Sequence, residues 1–346
     1  MEIKEFLREV TALPGLPGFE GPVGQYIVEV FEPLTDDQSV DVMGNVIARL
    51  GSEGPRVMIS AHQDEIGLMV TGIEKDGSLR VSRNGGVDPR ILPSMEVKVL
   101  AKSGALYGVV GATPPHLQAA SDPKKAVELK DVFIDLGYSP QTVREKVRIG
   151  DPIVMISPLV ELANDRVAGK TMDDRAGVAI MLECAKNMRR LKAPAQTFFV
   201  SSTQEEVGVR GAKTSAYAID PDFAIAIDVT HGTGPGTGPF EAFALDKVVL
   251  VTGPNLHPLL NKKLKETAKR HRIETAVEVA SGPTGTDARA LQIACAGVPC
   301  VLISVPLKYM HTTVETLSLD MLREAGRLLA HFIDDVAREW GEFEWY

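Results

Sequence analysis

RVMISAHQDEIG, residues 56–67, decides the architecture. The run from Val57 to Ala61 is apolar or small, short enough for a buried strand, and His62 and Asp64 follow it directly. The same form returns downstream: Glu205 and Glu206 follow TFFVSST (197–203), Asp228 ends FAIAID (223–228), and His311 comes shortly after VLISVP (301–306). Imidazoles and carboxylates therefore leave the carboxyl ends of strands. In an open α/β sheet that edge is where loops from sequence-distant strands converge on a ligand. Asp173 and Asp174 join them from MDDRAG (172–177), just ahead of a helical stretch.

Outward from these strands the chain has three regimes. Residues 1–68 open with helical spacing in IKEFLREVTAL and GPVGQYIVEVFEPL, then short apolar runs in GNVIARL and RVMISA. Residues 69–159 change to closely spaced β-type runs, LMVTGI, LRVSR, EVKVLA, LYGVVGA, DVFIDLG and DPIVMIS, broken by Gly, Pro, Asp and Asn. One helix interrupts them, with Ser139 as N-cap and Pro140 at its first position. Residues 160–346 return to strands alternating with longer helices, ending in a helix whose Met321, Ala325, Leu328, Leu329, Phe332 and Val336 form one stripe behind a Ser318 cap. The expectation is an α/β fold, a mixed sheet sandwiched by helices, carrying an inserted small all-β, barrel-like domain over 69–159.

Composition narrows the function. The chain has 346 residues and 37 Lys+Arg against 46 Asp+Glu, a net charge of −9, which disfavours a phosphate-tracking surface and hence nucleic acid. No uncharged run reaches the ~18 residues of a membrane span, and the opening MEIKEFLREV reads as a helix rather than a secretory leader. Cys184, Cys295 and Cys300 form no CxxC and leave one thiol over, so thiolate zinc and disulfides are poorly supported and a reducing cytoplasm is expected.

Two His with several carboxylates and no convergent Cys suit Zn²⁺, Co²⁺ or Mn²⁺. His62, Asp173, Glu206, Asp228 and His311 are too many for one ion. The economical arrangement is two ions sharing one bridging carboxylate, with a terminal His and carboxylate on each. Glu205 then has no metal assigned and can serve as general base. Asp64, two residues from His62, can accept the other imidazole N–H and fix the ring. Singly, each feature has a plain reading: a His after a strand is mostly a surface residue, Asp-Asp before a helix mostly a cap, and Glu-Glu mostly a solvated loop. Their joint arrival at strand ends is what points to chemistry. His116, His231, His257 and His271 fit no such pattern and read as loop or surface residues.

AHQDEIG, KTMDDRAGVA, STQEEVGVRGA, AIDV and MHTTVE, in this order, resemble the TET-type metallo-aminopeptidases, the family of glutamyl, leucyl and deblocking aminopeptidases. The resemblance runs from LPGLPGFEGPVG to the C-terminal helix. It implies two divalent ions per subunit, Zn²⁺ or Co²⁺, with His62, Asp173, Glu206, Asp228 and His311 as ligands and Asp173 bridging. It also implies Glu205 as catalytic base, Asp64 as the His-orienting acid, and Asp174 as partner in a cis peptide after the bridging ligand. Short peptides would be the substrates, and a homo-oligomer, a dodecamer built from dimers through the β insert, the assembly. HGTGPGTGPF and SGPTGTDARA would shape the specificity pocket, with Asp287 either facing the site or only capping the DARALQIA helix. Two alternatives stay open on the residues themselves: a di-metal N-acyl-amino-acid deacylase or carboxypeptidase-like amidohydrolase, and a non-catalytic assembly protein.

Overall fold

The computed structural model describes residues 1–112, 127–238 and 240–343. His116 lies outside them. In chain order the elements are α1 (Ile3–Val10), α2 (Gly21–Phe31), β1 (Asp37–Val40), β2 (Val46–Leu50) and β3 (Arg56–His62). Then come β4 (Gly67–Ile73), β5 (Leu79–Asn84), β6 (Glu96–Ala101), β7 (Gly104–Ala112), β8 (Val132–Asp135), α3 (Pro140–Lys146) and β9 (Pro152–Met155). The remainder is β10 (Val160–Leu162), β11 (Arg166–Gly169), α4 (Met172–Leu191), β12 (Gln196–Ser202), α5 (Arg210–Ile219), β13 (Phe223–His231), β14 (Val248–Thr252), α6 (Pro258–Arg270), β15 (Thr275–Val279), α7 (Ala288–Leu291), β16 (Cys300–Leu307), β17 (Glu315–Ser318) and α8 (Leu319–Arg338).

The main sheet has the order β1-β2-β12-β3-β13-β16-β14-β15. Its four central strands, β12, β3, β13 and β16, run parallel, so their carboxyl ends share one edge. Both faces are covered, as alternation requires: Val57, Ile59 and Ala61 of β3 pack with the helical layer that includes α4 and α8, whereas Met58 packs on the opposite side with α5 and α7. The apolar stripe expected on α8 is buried throughout, and Ser318 Oγ accepts the Met321 N–H at 3.5 Å. The Ser139 cap on α3 likewise accepts the Thr142 N–H.

Strands β4-β5-β8-β7-β6-β9 close into a barrel around Leu68, Val70, Val97, Val99, Ile134 and Ile153. It begins five residues after the end of β3, so its first strand leaves from beside the main sheet's carboxyl edge. A third, three-stranded sheet, β10-β11-β17, braces the segments that lead into α4 and α8.

Candidate active site

The carboxyl edge of the main sheet gathers His62 from the end of β3, Asp228 from β13, Glu205 and Glu206 from the turn after β12, and His311 from the loop after β16. Asp173 comes from the first turn of α4, where Asp173 and Asp174 have non-helical φ/ψ and are joined by a cis peptide bond. His62 Nε2 lies 3.1 Å from Asp173 Oδ1, and His311 Nε2 lies 3.2 Å from Asp173 Oδ2 and 3.3 Å from Glu206 Oε1. The candidate ligand atoms fall into two groups, His62 with Asp173 and Asp228, and His311 with Asp173 and Glu206; within each they lie within 4.8 Å of one another. Asp173 belongs to both, offering one oxygen to each imidazole. A donor set of imidazoles and carboxylates divided around a shared carboxylate fits two divalent ions of the zinc type.

Two buried carboxylates hold this cluster by its backbone. Asp64, fully buried, accepts the N–H of Glu205 at 3.1 Å and of Glu206 at 3.2 Å. Its main-chain oxygen is 3.2 Å from His62 Nδ1, while its carboxylate is 3.6 Å away. The ring expected to be fixed by the carboxylate is thus met more closely by the carbonyl, and the carboxylate adds attraction while gripping the Glu205–Glu206 turn. Glu315, also buried, accepts the N–H of His311 at 2.8 Å and of Asp173 at 3.1 Å. Sequence reasoning assigned Glu315 no role. The available signal was its place four residues after His311 inside MHTTVE.

Charge is crowded here. Burial, with Asp228, Asp287 and Glu206 adding repulsion against the pull of His62, pushes the Glu205 carboxyl up to about 10. Burial and then Asp173 raise Asp228 well above its ordinary range. Hydrogen bonding to Asp173 and Glu206 lifts His311 to about 11. For His62, burial opposes the charged ring, but Asp173 and Asp64 overcome it and hold it well above the usual value. The carboxylates outnumber the cations that could offset them, and bound dications would reverse that imbalance.

Nearby packing is tight. Gly86, from the loop after β5, passes so close that a Cβ there would stand 2.5 Å from His311 Nδ1. Beneath the cluster, Glu65 accepts the Gly15 N–H and pairs with Lys170 and Arg175. The fully buried Arg175 also donates to the carbonyls of Val10, Leu13 and Gln63, tying the segment after α1 to the floor of the site.

Asp287 makes no capping bond. It is buried, and its Oδ2 accepts the hydroxyls of Ser60 and Ser202 at 2.7 Å each, so it braces β3 against β12. The cluster opens into a cavity of about 610 Å³ lined in part by Thr230, His231, Thr284 and Arg289, so His231, read as a loop or surface residue, faces this space.

An imidazole–carboxylate cluster at the carboxyl edge of a mixed sheet is an arrangement suited to metal-assisted hydrolysis on an α/β fold. The profile of the M42 glutamyl aminopeptidase family matches residues 44–328. A lysyl aminopeptidase of Pyrococcus furiosus is 36% identical over 316 residues, covering 90% of this chain and 91% of that one. The crystal structure of a TET aminopeptidase from the marine sediment archaeon Thaumarchaeota archaeon SCGC AB-539-E09 superposes with a TM-score of 0.93 at 33% identity, over 98% of each chain. A Pyrococcus horikoshii TET1 peptidase, described as assembling into a tetrahedron or a large octahedral shell, has a TM-score of 0.85 at 34% identity, over 95% of this chain and 98% of that one. The chain therefore belongs to the M42 glutamyl aminopeptidase family, as a TET-type aminopeptidase that hydrolyses peptide bonds.

Proposed function

We propose that the protein is a di-metal aminopeptidase that removes N-terminal residues from short peptides, using two divalent ions, Zn²⁺ or Co²⁺. His62, Asp173, Glu206, Asp228 and His311 would hold them, with Asp173 between. The observation that carries this reading is the pair of donor groups sharing Asp173 while Glu205 stands beside them with no such assignment. When bound, two such ions polarise the scissile carbonyl and lower the pKa of water towards ~7. Glu205 takes the proton from the attacking water and returns it to the leaving amine, general-base then general-acid work. Asp64 holds the Glu205 backbone, which fixes where that carboxylate starts.

The barrel-bearing segment 69–159 is assigned as the inserted dimerisation domain of a homo-oligomer, a dodecamer built from dimers, between catalytic segments 1–68 and 160–346. The cytoplasm is the assigned compartment. Light scattering on the metal-loaded protein tests the assembly: a mass of one or two chains at every concentration would rule it out. Hydrolysis of aminoacyl p-nitroanilides, compared with their N-acetyl forms and with N-acyl amino acids, tests the activity. Cleavage of free-amine substrates alone is expected; preference for the acylated compounds would replace this reading with a deacylase.

A further inference from the structure

The cavity beside the ligand cluster has two chemically different sides. One is the cluster. The other is formed by Val251 on β14, Leu302 and Ser304 on β16, and Glu278 on β15. Glu278 lies opposite Val251 in the parallel β14–β15 pair. Its Oε2 is shut off from solvent and has no hydrogen-bond partner among the described residues. Burial raises its carboxyl above the ordinary value, and Thr230, His231 and Ser304 draw it back; none of these is a lysine or arginine. A partly buried carboxylate with an unpartnered oxygen is costly until a cation meets it.

The position of Glu278 fits a ligand of definite length. Ser304 faces Asp228 across β13 and β16, and paired strands lie roughly 4.8 Å apart. A carboxylate steadied by Ser304 therefore stands about one long side chain away from the ligand cluster, where the scissile bond would lie. Val251 and Leu302 between them offer apolar surface for a methylene stem, the arrangement a lysine or arginine side chain uses when only its head is charged. Arg289 also borders the cavity, but it is exposed, at the rim.

We infer that Glu278 is the specificity-determining residue of this site and that the favoured substrates are peptides beginning with a basic residue, lysine or arginine. This rests on the aminopeptidase reading above. The test measures kcat/KM of the metal-loaded wild type and of Glu278→Gln on lysyl-, arginyl-, leucyl- and glutamyl-p-nitroanilide. The wild type should favour lysyl over leucyl by about 10- to 100-fold, the worth of a charge-assisted contact, and Glu278→Gln should lose that ratio chiefly through KM of the basic substrates. A wild type that prefers glutamyl substrates would assign selection to Arg289 instead and overturn the proposal. A lysyl-to-leucyl ratio that survives Glu278→Gln would overturn it too. If the wild type cleaves no aminoacyl amide, the aminopeptidase reading itself fails. Calorimetric titration with L-lysine and L-norleucine then decides Glu278 separately: lysine bound at least about tenfold more tightly by wild type than by Glu278→Gln, with norleucine showing no such loss, supports it, and equal affinity for the two ligands refutes it.

Discussion

Replacing Asp64 tests whether the site is held by its backbone. The Asp64 carboxylate is fully buried and accepts both the Glu205 and the Glu206 N–H. Asp64→Ala leaves those donors without that acceptor, and hydrogen bonds to a charged group are worth about 1.5–3 kcal/mol each. The pair therefore amounts to about 3–6 kcal/mol, and relief of repulsion with Glu20 and Asp287 places the expected loss at the lower end. Against a typical total of about 5–15 kcal/mol that is large. Asp64→Asn keeps one oxygen acceptor but turns an N–H donor towards the other site, so about half the loss is expected. Urea unfolding followed by circular dichroism at one protein concentration measures the loss, and the same preparations give kcat. Because the turn carries Glu205, a shift of its carboxylate by roughly 1 Å should also lower kcat by about 10²-fold. A urea midpoint equal to the wild type, with kcat within about threefold, would refute the idea that this carboxylate holds the turn.

Glu205→Gln should retain both ions while kcat falls about 10²–10⁴-fold, whereas Asp173→Ala should lose metal measured by plasma mass spectrometry; both ions kept in the second or lost in the first would show the roles exchanged. Chelation should abolish peptidase activity and added Zn²⁺ or Co²⁺ restore it, with full activity in a verified metal-free preparation contradicting the mechanism. Glu315→Gln should weaken metal retention without touching substrate directly, since it removes one acceptor from the Asp173 and His311 N–H groups; unchanged metal affinity in a competition titration would count against it. Gly86→Ala should displace the His311 ring and lower metal occupancy on the His311 side, read by stoichiometry after dialysis; a fully loaded, fully active variant would show that the loop yields instead.

The barrel and the central strands were legible because burial leaves its mark on residue type. The six β-type runs read between residues 68 and 157 all lie at barrel strands, and RVMISA, TFFVSS, FAIAID and CVLISV all lie in the main sheet. Three of the strands that went unread are exposed on one or both faces. DQSV of β1 and TAVEV of β15 are sheet edges with polar or mixed patterns, and VEL of β10 is exposed at every position. Such strands are set by their neighbours' hydrogen bonds rather than by their own hydrophobicity, so period alone does not disclose them. Missing β15 also meant missing Glu278, a lone acid in a segment with no assigned element.

The residues expected at the site were marked by chemistry, an imidazole or carboxylate after a strand end or, for Asp173, just before a helix, and the structure gathers all of them at one edge. Their supports were not marked, because a carboxylate that binds backbone N–H groups looks in sequence like any other acid. Asp64 and Glu315 do this for different pairs: one ties Glu205 to Glu206, the other ties Asp173 to His311. Each joins segments far apart in the chain, β3 to the turn after β12 and the α4 start to the loop after β16. Gly86 adds the barrel to the same construction, since only a residue without a Cβ lets that loop lie against His311. The site is therefore a junction of the barrel and the main sheet as well as of the strand ends. A change in how the barrel is held would reach His311 through this contact, and Glu206 through the neighbouring Gly85, whose added Cβ would stand 3.4 Å from the Glu206 side chain.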